Sequence, residues 1–223
     1  EVGPVLAHEL VHALQGQHAP LPELIAPERG NDRRSAAQAA LEGHATLVMF
    51  ALMLEEQQGE PVDLRLLPDI GQQFGPVLEG QHSRFPVFRT APRIIRETLI
   101  FPYVGGATYV QALWNELGPL PSGEADPARM RWPAPLDTLL PRSTRQVLHP
   151  SEAFGADRVE PVEIVIEAGS EARTIYENTL GQLEISILLA EHLGEAARAL
   201  AEGWLGDRFR LIEAPGGGRA LVW

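Results

Sequence analysis

The stretch from His8 to His18, H-E-L-V-H-A-L-Q-G-Q-H, sets two histidines four apart, a glutamate beside the first, and a third histidine six residues after the second. On a helix, positions i and i+4 share one face, so His8 and His12 can aim both imidazoles at one ion. Glu9 is turned about 100° from His8, which puts its carboxylate beside the ion rather than on it. That is the place of a general base for water activated by a metal. Zinc lowers the pKa of such a water toward ~7, so Glu9 can take its proton and later hand it to a leaving amine. H-E-x-x-H arises by chance about 0.02 times in a chain with this His and Glu content. The plainer reading is a pair of ordinary histidines near a helix C-terminus, where imidazolium is favoured. Against it, the neighbouring apolar residues Val5, Leu6, Leu10, Val11 and Leu14 are expected to bury the helix, and buried His and Glu need partners.

Catalytic zinc takes three protein ligands and leaves one position open. The chain has no cysteine, so the ligands are His and carboxylates. His18 is the nearest third candidate. In the elongated pattern H-E-x-x-H-x-x-G-x-x-H a glycine lets the chain turn; here that place is Gln15, and the glycine comes one residue late, at Gly16. Glu42, in A-L-E-G-H-A-T, is the other candidate. It interrupts an apolar helix face, and Gly43 beside it, which costs helix stability by ~1 kcal/mol, permits close helix approach. Spacing and ligand type favour Glu42 over His18. A di-iron reading through Glu9-x-x-His12 and Glu79-x-x-His82 is weak, because the second copy sits among Gly and Pro. His82 and His192 read as surface or core residues.

The elements that must hold these residues are mainly helical. Helices are expected at Gly3–Gln17, stopped by Gly16; from Asn31 or Asp32, either of which can cap, to Gln58; at Ile70–Gln81; and as two separate pieces at Arg89–Ile100 and Gly106–Leu117. From 118 to 161 proline is dense and the chain reads as an irregular covering segment, with Ser143 capping a short helix through Val147. V-E-I-V-I-E-A-G, from Val162, alternates like a strand. Leu180–Leu193 and Ala196–Trp204 read as helices, and the last residues as a hairpin around a Pro-Gly turn. The expected fold is mainly α (α+β) with minor β, a single domain over 1–223. The chain opens seven residues before His8 and ends on Trp223 inside a strand pattern, so the expectation is a fragment truncated at both ends.

Apolar content of 44% with 22% charged residues suits a globular domain. The net charge of -12, with arginine as the sole basic residue besides His, argues against nucleic acid as a partner. No run approaches the ~18 consecutive apolar residues of a membrane span. The oligomeric state is not legible.

H-E-L-V-H-A-L-Q-G-Q-H followed by A-L-E-G-H-A-T resembles the gluzincin metallopeptidases, in which a Glu on a later helix completes the site. More narrowly it is similar to a group of uncharacterised bacterial, often exported, gluzincin-like proteins. F-P-Y-V-G-G at Phe101–Gly106, S-T-R-Q-V-L-H-P at Ser143–Pro150 and G-W-L-G-D-R-F at Gly203–Phe209 match further stretches of that group. The resemblance implies a zincin-like helical core, one Zn2+ held by His8, His12 and Glu42, Glu9 as base, and export to the periplasm or beyond. Two positions depart from the group's pattern. His44 stands where Asp is usual, at a place suited to orienting a liganding His or to a fourth ligand, and H-P-S-E-A-F lacks a tyrosine. A zinc peptidase also needs a donor for the oxyanion; Tyr103 and His149 are the candidates, and each reads equally well as a structural residue. The expected function is hydrolysis of peptide or protein substrates by metal-activated water with Glu9 as general base. The alternative is a non-catalytic or latent zinc protein with a structural or partner-binding role.

Overall fold

The computed structural model describes residues 2–82, 85–118, 134–167 and 172–223, with backbone alone at 2, 77–79, 81 and 82. Eight α-helices lie among them: α1 (Val2–His18), α2 (Leu21–Leu24), α3 (Asn31–Gln58), α4 (Ile70–His82), α5 (Pro86–Thr90), α6 (Arg93–Leu117), α7 (Thr144–Leu148) and α8 (Gly181–Leu193). One antiparallel sheet, in the order β1 (Arg173–Asn178), β2 (Phe209–Glu213), β3 (Arg219–Val222), joins them. The fold is mainly helical with a small sheet, and the C-terminal hairpin forms as expected.

The two long helices α3 and α6 pack on each other, and α1, α4, α7 and α8 pack around this pair. Small residues set the spacing. A Cβ on Gly43 would lie 2.0 Å from the Gly106 carbonyl carbon, and one on Gly106 would lie 1.9 Å from the Ala39 oxygen. Around this crossing, Ala36, Ala39, Ala40 and Leu47 from α3 meet Tyr109, Val110 and Leu113 from α6 in a core that excludes water. By length and composition α3 is apolar enough to cross a bilayer. More than half of that apolar window is buried inside the protein, and the helix carries the polar His44 into the core, as suits a central core helix.

Several expectations are corrected. Gly16 does not stop α1, since it keeps helical backbone and the helix runs on to His18; Pro20, which has no N–H to donate, ends it. Neither Asn31 nor Asp32 caps α3. The Asn31 N–H instead donates to Asn178 Oδ1 at the end of β1 (2.7 Å), while Asp32 accepts from the Thr144 N–H (2.8 Å) and hydroxyl. Burial raises the Asp32 pKa to about 6 against these bonds. The expected pieces at Arg89–Ile100 and Gly106–Leu117 are one helix, α6, running straight through Phe101–Gly106. Pro102 costs one helical hydrogen bond, and burial of Phe101, Tyr109 and Trp114 outweighs it. Arg89 belongs to α5.

The stretch Val162–Glu167 forms no strand. Its side chains find no face to bury, Val165 being 73% exposed, and it touches the sheet region by single bonds such as Arg210 Nη1 to the Ile166 carbonyl (2.6 Å). The strand comes later, at Arg173–Asn178. Ala196–Trp204 is a 3₁₀ helix, Glu195–Gly203. Ser143 does cap α7, accepting the Gln146 N–H. In the proline-dense segment, 134–161 packs on the core through Leu140, Val147 and Ala153; 119–133, with Met130, lies outside the described residues. Asp207 in the Gly203–Phe209 stretch accepts the Leu180 and Gly181 N–H groups (2.9 Å each) and Trp204 Nε1 (2.8 Å), fixing the start of α8.

Candidate metal centre

Helix α1 packs chiefly on α3, through the face that carries His8, Val11, His12 and Gln15. That packing places His8 Nε2 3.1 Å from Glu42 Oε2, His12 Nε2 3.3 Å from the same oxygen, and the two Nε2 atoms 3.1 Å apart. The rings stand edge to face, with centroids 4.8 Å apart. Two imidazole nitrogens and a carboxylate oxygen at these separations repel through their lone pairs unless a cation or protons lie between them. Ligands 2.0–2.1 Å from a tetrahedral zinc sit about 3.3–3.4 Å from one another. The three edges come close to that value, so the donor set fits zinc in both type and spacing. Among the described residues this is the one group of three or more His, Asp or Glu side chains that converges in this way.

Without a metal the charges settle on the same three groups. The hydrogen bond to Glu42 is the main force raising the His12 pKa, with burial opposing it and Gln15 adding to it. Burial works to raise the Glu42 carboxyl, but the bonds from His12 and His8 outweigh it and hold it down at about 2. A metal ion held by this group would have to displace the His12 proton, so its affinity would rise as pH climbs through and above the ordinary histidine value.

Behind the three converging side chains runs a chain of hydrogen bonds. His12 Nδ1 donates to Gln15 Oε1 (2.8 Å), and Gln15 Nε2 donates to the Leu41 carbonyl (3.1 Å) and to His44 Nδ1 (2.9 Å). A donor Nδ1 leaves the His12 Nε2 lone pair free for a metal and fixes the ring plane, as such second partners do. Gln15 is only 2% exposed and His44 6%. His44 therefore meets Gln15 from behind His12, and its Nδ1 does not join the three converging atoms. Spacing did not suggest that Gln15 joins this group; its one visible signal is a polar side chain on the buried face of the motif helix.

The remaining candidates divide. Glu9 is exposed and stands outside the ligand triangle, yet near enough for its charge to act on His12 and Tyr103. Tyr103 on α6 comes to the site, its ring centroid 6.2 Å from that of His8. Burial, reinforced by the charges of Glu42 and Glu9, raises its pKa, so the phenol stays protonated and able to donate. His149 ends α7 and hydrogen-bonds through Nε2 to Gln182 on α8 (2.8 Å). His18 is exposed on the last turn of α1, apart from the ligand group, and His192 is exposed on α8. Glu79 and His82 fall outside the described side chains. Contrary to expectation, Leu6, Leu10 and Leu14 are more than half exposed on the side of α1 away from α3, and Val5 is exposed too.

No family model, curated protein or solved structure gives a match to this chain. The geometry of the centre therefore carries the functional reading.

Proposed function

We propose that this chain is a zinc-dependent peptidase of gluzincin type, with His8, His12 and Glu42 as ligands and Glu9 as general base. The observation that carries the reading is the 3.1–3.3 Å triangle of His8 Nε2, His12 Nε2 and Glu42 Oε2. Three ligands with partly exposed side chains, 13–23% for the histidines and 19% for Glu42, suit a catalytic site better than a closed structural one, which takes four protein ligands. His44, the nearest candidate for a fourth, is bonded to Gln15 instead.

When bound, zinc supplies Lewis acidity that polarises a substrate carbonyl and makes water a stronger acid. Glu9, outside the triangle on the solvent side, accepts the proton that water gives up and returns it to the departing amine nitrogen. Tyr103, kept protonated, donates a hydrogen bond to the oxygen on which negative charge develops. Gln15 holds the His12 ring in its ligating tautomer throughout.

The test is digestion of a mixed peptide library by zinc-loaded protein, read by mass spectrometry. Cleavage is expected, lost on chelation and restored by added zinc. A zinc-loaded protein that cleaves none of the peptides would instead support a non-catalytic zinc centre.

A further inference from the structure

Next to Tyr103, α6 turns Val104 and Gly105 into a cleft of about 770 Å³ that also runs along α5 and α8. Four arginines and three glutamates line it, an excess of positive charge in a protein of net charge -12. The charges are not evenly matched. Arg93 and Arg198 are held by Glu97 and Glu195, through Arg93 Nε to Glu97 (2.5 Å), Arg93 Nη2 to Glu195, and Arg198 to both acids (2.8–3.1 Å). That lattice uses up Glu97 and Glu195. The side chains of Arg89 and Arg96 make no ion pair or hydrogen bond among the described residues, and Arg96 Nε is fully buried without any partner. The third acid, Glu191, is exposed on the α8 side. An unsatisfied buried guanidinium N–H costs on the order of 1–3 kcal/mol; the Arg96 Nη groups and the Arg89 guanidinium, which reach solvent without a partner among the described residues, are the ones an anion in the cleft can meet.

Arg96 and Tyr103 are seven residues apart on α6, two turns along the same face, which is about 10 Å of helix rise. That distance is spanned by about three residues of extended peptide. Ile100, Phe101 and Leu183 give the cleft apolar walls, which strengthen a charge pair by excluding water. A planar carboxylate matches the guanidinium fork.

We propose that this cleft is a specificity site in which Arg96 and Arg89 anchor a carboxylate of the peptide substrate, about three residues from the bond cleaved at the metal centre. The proposal rests on the peptidase reading. The carboxylate is either a peptide C-terminus or an Asp or Glu side chain; both present the same group to the arginines.

The experiment uses zinc-loaded Glu9→Gln protein, which holds peptides without turning them over, and fluorescence anisotropy of dansyl-pentaalanine. Three probes are compared: the free acid, the C-terminal amide, and the amide with glutamate in place of the fourth alanine. At least one carboxylate-bearing probe is expected to bind about tenfold tighter than the plain amide, as a charge-assisted anchor gives; which one does so identifies the source. Adding Arg96→Met and Arg89→Met should erase that preference while leaving bound zinc and affinity for the plain amide unchanged. Arg89 is exposed, so Arg89→Met alone should cut the preference even if the Arg96 variant fails to fold. Equal binding of all three probes overturns the anchor but not the peptidase, which library cleavage tests by itself. Failure of every probe to bind likewise overturns the anchor, and the peptidase stands or falls by library cleavage.

Discussion

Glu9→Gln is expected to lower peptide turnover by about 10²–10⁴-fold, the usual loss when a positioned general base is removed, while bound zinc stays at the parent level. The two halves of this result come from one geometric fact. Glu9 follows His8 on α1 and lies outside the triangle formed by His8, His12 and Glu42, so it can move a proton without holding the ion. Glutamine keeps the shape and removes the basic oxygen. Its amide cannot accept a proton near neutral pH, and the leaving amine then departs unprotonated. Turnover and zinc content measured on the same sample separate the roles. Full activity in a zinc-loaded Glu9→Gln protein contradicts the assignment of Glu9.

The second large effect reverses what helix propensity suggests. Gly to Ala inside a helix ordinarily stabilises by about 1 kcal/mol. At Gly43 it is expected to destabilise by about 3 kcal/mol or more, beyond the usual range for an overpacked site. The added Cβ would fall 2.0 Å from the Gly106 carbonyl carbon, 2.2 Å from its oxygen and 2.6 Å from Ala107 N. All three are backbone atoms of α6, so no side chain can swing away and the helices must part. Glu42 precedes Gly43, and parting α3 from α6 shifts its carboxylate relative to the histidines on α1. Urea unfolding should show the lost stability, and zinc titration a weaker centre. Gly203→Ala, where a Cβ would meet nothing within 4 Å, is the control and should be near neutral.

The residues that converge were more legible in the sequence than the architecture around them. His8, Glu9 and His12 are fixed by spacing within one helix, and Glu42 betrayed itself as an acid interrupting an apolar face. Gln15 was not legible. Read along the chain, it is the residue where a glycine is missing; its role depends on α3 presenting Leu41 and His44 to it. Phe101–Gly106 misled for a related reason. A proline and two glycines signal a break locally, but in the fold Gly106 meets Ala39 and Gly43, and that packing keeps α6 whole. Asn178 capping α3 from 147 residues away is invisible to any local rule. The apolar residues of α1 misled in the other direction: periodicity marked Leu6, Leu10 and Leu14 for burial, whereas the packed face is the one bearing the histidines.

The centre also explains two stretches that carry no direct chemistry. Thr144 in the Ser143–Pro150 stretch binds Asp32 at the start of α3, and Asp207 pins the start of α8 beside it. Of the two, Thr144 holds the N-terminal end of the helix that presents Glu42, and Asp207 holds the start of its neighbour α8.

Zinc bound per chain after exhaustive dialysis, compared among the parent, Glu42→Ala and His18→Ala proteins, tests the central claim most directly. About one zinc per chain is expected in the parent and in His18→Ala, with zinc lost from Glu42→Ala. Zinc retained in Glu42→Ala and lost only from His18→Ala would contradict the centre described.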